Sequence, residues 1–249
     1  MIKKIKNYFY ELGLLIRSVP SLVLAVFILT VFSMNLLANK SINLPIDWLA
    51  LDCGMIISWV CFLIMDIITK HFGPKAATEL SVIATLLNLA ACLIFFAVSL
   101  IDGQWSASFV GGDGNNTVIN NALDRTFGGT WYVIIGSAFA FLISSAVNNF
   151  TNFLVGKAFK NSDKYSVYVL RSYISTALGQ FVDNFVFSLL VSHFFFGWSV
   201  LECITCSLTG MAVELLCEAV FARLGYKICQ KWKNNKVGEE YLAYRLEKK

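Results

Sequence analysis

The chain has 249 residues, of which 57% are hydrophobic and 14% are charged. A water-soluble domain carries about 25% charged residues, so this composition excludes most soluble enzymes and binding domains and indicates an integral membrane protein. The formal net charge of +4 is small, and the positions of the basic residues are therefore more informative than their number.

Six apolar segments are each long enough to cross a bilayer as a helix, which takes roughly 20 residues. The apolar run of the first segment is too long for a cleaved signal peptide. We therefore predict an all-α integral membrane protein, a six-transmembrane-helix bundle forming one domain over residues 1–230, with a charged tail over 231–249 that forms a short surface helix. The predicted spans are residues 19–38, 46–66, 79–101, 130–155, 172–196 and 199–222.

Basic residues cluster in alternate connections between these spans. Of the 20 Lys and Arg residues, 18 lie in these alternate connections and in the two terminal segments. Only Lys40 and Arg125 lie in connections on the opposite side of the membrane. Basic loops stay in the cytoplasm, so both termini are predicted to be cytoplasmic, in the inner membrane of a bacterial cell. The long connection over residues 102–129 is rich in Gly and Asn and is predicted to be a solvated loop.

The fifth predicted span carries a stripe of polar side chains. Successive residues of a helix are about 100° apart, which puts Thr176, Gln180, Asp183 and Phe187 in one sector with Asn184 at its flank. A charged side chain at the centre of a membrane helix costs about 2.5–3.5 kcal/mol on insertion scales. The stripe therefore predicts a substrate-binding surface, with hydrogen bonding between helices as the alternative.

The fourth predicted span is also polar along one face, which holds Ser145, Asn148 and Asn152, with Asn149 beside it. None of these side chains is charged, so simple hydrogen bonding between helices is a stronger alternative here. Residues 147–150 (VNNF) match residues 182–185 (VDNF) at a separation of 35 positions. Repeats of this kind frame the substrate site in many transporters.

The sixth predicted span carries Glu202, Glu214 and Glu218 at multiples of four residues, and therefore on one slowly drifting face. Glu214 lies within the apolar stretch and is predicted to belong to the transport pathway. Glu218 lies near the cytoplasmic end, where it could reach the membrane surface or pair with Arg223.

Two further polar residues lie near the ends of the first two spans. Asp66 is one turn from Lys70, a spacing that supports an ion pair, and Gly73-Pro74 is predicted to end that helix. Asn35 precedes the end of the first span. Asp66 is expected either to belong to the substrate site or to form a local ion pair at the membrane edge. Asn35 is expected either to belong to the substrate site or to cap the outer end of its helix.

No metal site or cofactor is predicted, because His71 and His193 have no companion ligands and the Cys203–Cys206 pair has no second pair. The basic tail is explained by topology and anionic lipid, so the expected partners are a small-molecule substrate and the lipid bilayer, without nucleic acid. Apolar helix faces also permit a homodimer.

Together these segments resemble the queuosine precursor transporter family, also called the VUT family. Residues 171–187 resemble its fifth-helix pattern through Arg171, Ser175-Thr176, Gln180, Asp183 and Phe187. Residues 66–73 (DIITKHFG) are similar to the family's Asp-Ile-Ile-Thr-Glu-x-x-Gly, and residues 35–40 (NLLANK) resemble the end of its first helix.

The chain also departs from the family pattern. Lys70 stands where the family commonly has Glu, and Glu214 lies where it often has Lys, so a charge-reversed pair is one hypothesis. Ser145 and Asn148 occupy positions where Gln and Asp are frequent, and the proline that is common near Trp59 is missing.

The resemblance implies import of a 7-deazaguanine, such as 7-cyano-7-deazaguanine, 7-aminomethyl-7-deazaguanine or queuine, for queuosine salvage into tRNA. Asp183 or Glu214 would accept hydrogen bonds from the base, Gln180 together with Asn148 or Asn149 would bind either donors or acceptors, and Phe187, Phe185 or a tryptophan would cover its ring. Proton-coupled and equilibrative transport remain open.

Two alternatives to a stand-alone transporter remain. A substrate-binding subunit of an ATP-driven vitamin or purine-like importer is also a small six-helix protein, and this chain has no Walker A motif of its own. A membrane-embedded enzyme is less favoured because the sequence has neither a GxSxG nor a metal motif, and we predict that the chain is not an enzyme.

Overall fold

The computed structural model describes residues 2–42, 44–46, 48–49, 51–101, 113–158 and 165–247. Some helical residues are described by their backbone alone, namely residues 2, 113–117, 145, 149, 152, 153, 156, 165–172, 218 and 222. The long helices are α1 (Ile2–Ser18), α2 (Ser21–Leu37), α3 (Met55–Phe72), α4 (Pro74–Ser99), α5 (Asp113–Ala158), α6 (Tyr165–Phe187), α7 (Val200–Asn234) and α8 (Glu239–Glu247).

The predicted all-α membrane fold is confirmed. Within the described residues, five helices are long and apolar enough to cross a membrane, and a sixth is added if α1 and α2 are counted together as one bent span. The orientation of the termini stays a prediction.

The basic N-terminal stretch forms a helix of its own, α1, which the sequence analysis did not predict. Its axis makes an angle of 102° with that of α2. Pro20 explains the break, because proline disfavours a helical conformation at the preceding residue and is well suited to the first turn of a new helix. Its carbonyl accepts the amides of Val23 and Leu24.

The second span begins later than predicted. Residues 41–42 (β1) pair with residues 51–52 (β2) in an antiparallel hairpin, and α3 begins only at Met55. The Asp52 carboxylate accepts the amide of Gly54 at 2.7 Å, a local turn that competes with helix. At the other end, Gly73 has a φ of +93°, which confirms the predicted helix stop.

The prediction of a solvated loop over residues 102–129 is wrong from residue 113 onward, since α5 begins at Asp113; residues 102–112 lie outside the described part. The hydroxyl groups of Thr126 and Thr130 bond to carbonyls one turn earlier, which is compatible with a continuous helix. The paired glycines at 128–129 do not break the helix. A Cβ at Gly128 would lie 2.9 Å from the Ser99 hydroxyl, so the glycine allows α5 to approach the end of α4.

The fifth and sixth spans lie close to their predicted positions. After α6 the chain continues as a π-helix over Ser188–His193 and a helical turn over Phe194–Phe196. Gly197, with a φ of +73°, ends this run, and α7 extends from the sixth span through residue 231 to Asn234. The short helix predicted in the tail occurs as α8, although Tyr241 within it is fully buried.

The helices divide into two compact units. The first consists of Met1–Ser33, Ile57–Leu86 and Leu216–Lys249. In it α8 lies against α1, Trp59 stacks on Phe221 with ring centroids 4.6 Å apart, and the ring of Phe72 packs edge-on against that of Tyr241.

The second unit consists of Met34–Ile56 and Leu87–Leu215, and it contains the polar stripe of α6. Among its described residues, two buried apolar clusters stabilise it. One is formed by Ala38, Val133 and Val191, and the other by Trp198, Cys203 and Cys206. The two cysteines thus pack as small apolar side chains.

Candidate functional site

The candidate site lies where α5 packs against α6. The Ser144 hydroxyl donates a hydrogen bond to the Oδ1 atom of Asp183 at 2.7 Å. One turn further along α5, the Cβ of Asn148 lies 3.1 Å from the position that a Cβ would take at Gly179. Residue numbers rise along α5 while they fall along α6 between these contacts, so the two helices are antiparallel.

These two contacts are related by the short sequence repeat. Adding 35 to Ser144 and Asn148 gives positions 179 and 183, so the repeat converts the pair Asn148–Gly179 into the pair Asp183–Ser144. The two helices therefore cross with a local two-fold arrangement. The repeat differs at the contact itself, because residue 144 is a serine and its equivalent, residue 179, is a glycine.

Two residues at or next to this crossing have buried polar atoms without partners among the described residues. Gln180 is only 2% exposed, and neither its Oε1 nor its Nε2 atom has a hydrogen-bond partner among the described residues. The Oδ1 atom of Asn148 is also buried, and no described residue forms a hydrogen bond with it. A buried polar group left unsatisfied costs about 1–3 kcal/mol, so the amide of Gln180 and the oxygen of Asn148, which lies beside the neighbouring Gly179, call for water or a ligand to satisfy them.

A second polar contact links α6 to α7. The Asn184 amide donates to the Oε2 atom of Glu214 at 3.3 Å, and Glu214 is 2% exposed. A Cβ at Gly210 would lie 2.8 Å from the Nδ2 atom of Asn184. Glycine at that position is therefore what allows Asn184 to reach the carboxylate. The Ser188 hydroxyl bonds to the Asn184 carbonyl at 2.7 Å.

The aromatic residues of α6 are engaged in packing. Phe187 packs against the cluster of Ala38, Val133 and Val191, and Phe185 packs against the cluster around Trp198. The rings of Phe181 and Phe185 are parallel, with centroids 5.9 Å apart. Thr176, one turn before Gln180, is partly buried.

Several predicted residues are placed elsewhere or are not described. Asn35 is buried in α2, within the second unit. Asp66 belongs to the first unit, where its carboxylate lies 3.8 Å from the Lys70 amine, as the spacing predicted. The pairing of Lys70 with Glu214 stays a hypothesis. The residues whose side chains lie outside the described part are Asn149, Asn152, Ser145, Arg171 and Glu218.

Glu202 has a local role. Its carboxylate accepts the Ser199 amide at 2.6 Å, and its own amide donates to the Ser199 hydroxyl at 3.2 Å. This reciprocal pair is a capping box at the start of α7. Its spacing from Glu214 indicates a shared helix face but not a shared function.

The sequence analysis did not place Ser144 or Ser192 among the candidate site residues. Ser144 donates a hydrogen bond to Asp183. It lies four positions before Asn148, so the helical period could have placed it on the same face as Asn148. Ser192, in the π-helix, is fully buried and its hydroxyl has no partner among the described residues. A π-helix is rare and frequently marks a functional site, but nothing in the sequence predicted it.

The hairpin carries the clearest electrostatic perturbation outside the membrane-spanning helices. Burial raises the pKa of Asp52 to about 6, and the backbone amides of Gly54 and Met55 oppose that rise.

No group of three His, Cys, Asp or Glu side chains within the described residues could hold a metal ion.

Residues 52–228 match the model of a family described as "Putative vitamin uptake transporter". No curated protein and no solved structure matches the chain. The matched range covers well over half of the chain and contains α5, α6 and the polar crossing between them. The resemblance seen in the sequence is therefore confirmed at the level of the family, and the chain is a multi-pass membrane protein belonging to the vitamin uptake transporter family.

Proposed function

We propose that this chain imports a 7-deazaguanine base across the inner membrane, with both termini in the cytoplasm, for salvage of queuosine. The observation that supports this most is the set of buried amide atoms of Gln180 and Asn148 that have no partner in the described part of the chain, next to the contact that holds the Asp183 carboxylate. Amide and carboxylate groups in a buried crossing suit a flat, polar base better than they suit an apolar vitamin.

The hydrogen-bonding groups match in kind. A deazaguanine presents a ring N–H and an exocyclic amine as donors next to a carbonyl acceptor. Asp183 would accept from both donors, because the Ser144 bond engages only its Oδ1 atom and so orients the carboxylate. The Gln180 amide would donate to the carbonyl through Nε2, and Asn148 Oδ1 would accept a remaining N–H.

Glu214 would have a supporting role in this proposal. Its carboxylate accepts from Asn184, the neighbour of Asp183, and it therefore connects α7 to the site. A movement of α7 would displace the Asn184 side chain, because that side chain is bonded to Glu214 and lies against Gly210.

The test is uptake in a bacterial strain that cannot make queuosine precursors and lacks its own transporter. Each deazaguanine is supplied separately at low concentration, and queuosine is measured in tRNA. We expect rescue by at least one compound. Asp183→Asn should abolish it, because an amide presents its own N–H groups to the donors of the base.

Glu202→Gln is the matched control. It makes the same carboxylate-to-amide change within the membrane region, at a residue whose carboxylate caps a helix. It should transport like the wild type. Rescue by Asp183→Asn at the wild-type level, with equal membrane expression, would remove Asp183 from the site.

The selectivity of binding tests the assignment of Asp183 directly. An analogue without the exocyclic amine loses a hydrogen bond to a charged group, worth about 1.5–3 kcal/mol, so the purified wild type should bind it roughly 10- to 150-fold more weakly. In Asp183→Asn this discrimination should disappear. Equal binding of the two bases by the wild type would contradict the proposed substrate class.

A further inference from the structure

Helix α1 presents two different faces. Its inner face carries Glu11, Leu14 and Leu15, all buried. The Glu11 carboxylate lies 2.5 Å from the Lys75 amine and 3.2 Å from the Arg245 guanidinium. These two ion pairs fix this face of α1 to the first turn of α4 and to α8, within the first unit.

The opposite face of α1 is apolar and uncovered. Ile5, Phe9 and Ile16 are 49%, 64% and 38% exposed. With about 100° between successive residues they fall in a sector roughly 40° wide, on the side of the helix away from Glu11. The exposed basic residues Lys6 and Arg17 lie along one edge of this stripe.

The charges of α1 are nearly all of one sign. Lys3, Lys4, Lys6 and Arg17 are exposed, and the acidic residue of this helix, Glu11, is buried against two cations. A bare apolar stripe with basic side chains along one edge is complementary to the boundary between acyl chains and anionic headgroups of a bilayer.

The angle between the helices is compatible with a position of α1 at that boundary. The apolar helix α2 is long enough, with its flanking residues, to cross most of a bilayer, and α1 is bent 102° away from it. A helix nearly perpendicular to a membrane span lies close to the plane of the membrane surface.

We propose that α1 is an interfacial helix that binds the anionic phospholipid surface of the membrane in which the chain is embedded. Ile5, Phe9 and Ile16 insert into the headgroup boundary, while Lys6 and Arg17, at the edge of the stripe, contact lipid phosphates. The two Glu11 ion pairs hold the helix so that this stripe faces the lipid.

The test uses the full chain in nanodiscs that contain phospholipid brominated near the headgroup, which quenches tryptophan at shallow depth. Phe9→Trp places a probe in the stripe, and Asn7→Trp places one at an exposed position on another face of α1. The emission of each variant is compared with that of the wild type, whose own tryptophans give the background. We expect at least threefold stronger quenching of the added emission for Phe9→Trp.

A second comparison tests the electrostatic part. Quenching of the Phe9→Trp probe should be stronger in discs with anionic phosphatidylglycerol than in discs of neutral phosphatidylcholine alone. The combined changes Lys6→Gln and Arg17→Gln should remove that difference. A difference that persists unchanged would overturn the role of these two cations.

Other outcomes would overturn the proposal as a whole. Equal quenching at positions 7 and 9 would indicate that α1 crosses the membrane or stands free of it. Shielding of Phe9→Trp only in discs that hold two chains would assign the stripe to a second copy. These readouts do not depend on which solute the chain transports.

Discussion

The close approach of α5 and α6 at Gly179 predicts a specific cost for a single methyl group. In Gly179→Ala the new Cβ would lie 3.1 Å from the Cβ and 3.5 Å from the Cγ of Asn148. Carbon atoms prefer a separation of about 3.5–4.0 Å, so Asn148 must move by about a few tenths of an ångström. Such overpacking costs about 1–3 kcal/mol.

The helix propensity of alanine opposes this cost, because Gly→Ala inside a helix gains about 1 kcal/mol. Gly225→Ala is the matched control. Its Cβ would meet the flexible side chains of Ile67 and Leu63 at 3.4 Å, which can give way. The propensity gain is common to both variants, so their difference in the free energy of unfolding should be the overpacking cost, about 1–3 kcal/mol.

Both variants would be measured in detergent by unfolding and by binding of a deazaguanine. Displacement of the Asn148 side chain should weaken binding in Gly179→Ala by roughly tenfold or more, since misplacement by an ångström can cost a hundredfold. Gly225→Ala should bind like the wild type. Equal stability and equal affinity of the two variants would refute the proposed contact between Asn148 and Gly179.

Three further predictions concern the hairpin and the first unit. Because burial raises the pKa of Asp52 from 3.8 to about 6, the folded state binds its proton more tightly, and the free energy of unfolding should fall as pH rises from about 4 to about 6; Asp52→Asn should flatten that pH profile, and an unchanged slope would argue against the shift. Glu11→Gln removes both ion pairs of a buried carboxylate and should cost about 1–2 kcal/mol, less than a fully buried pair because both cations reach solvent. Its control, Glu239→Gln, breaks an exposed pair and should change stability by under about 0.5 kcal/mol, so equal melting of the two would count against the Glu11 contacts. Tyr241→Phe deletes a buried hydroxyl without a partner among the described residues and should leave the melting temperature unchanged or raise it, whereas a clear drop would mean that the hydroxyl is satisfied.

The spans and the polar face of α6 could be predicted from the sequence because both follow from local regularities. Apolar length sets the spans, and the helical period puts Gln180 and Asp183 on one face. The errors arose where local signals were misread. Glycine and asparagine content suggested a loop before residue 129, yet α5 is continuous there.

The partners of the site residues could not be predicted, because spacing along one helix does not say which helix packs against it. Ser145 was expected on the polar face of the fourth span, but the contact with Asp183 is made by Ser144. Glu202 and Glu214 share a spacing and differ in surroundings: one caps a helix end and the other is buried against Asn184. The two-fold relation between the α5 and α6 contacts became visible only once both helices were placed.

The most direct test of the proposed transport is uptake of a radiolabelled 7-deazaguanine into sealed proteoliposomes that contain this chain as their sole protein. We predict saturable uptake without ATP, inhibited by unlabelled deazaguanine, and lost in Asp183→Asn but retained in Glu202→Gln. Binding of the base without any movement into the vesicles would contradict a stand-alone transporter and indicate a subunit that depends on an ATP-driven partner.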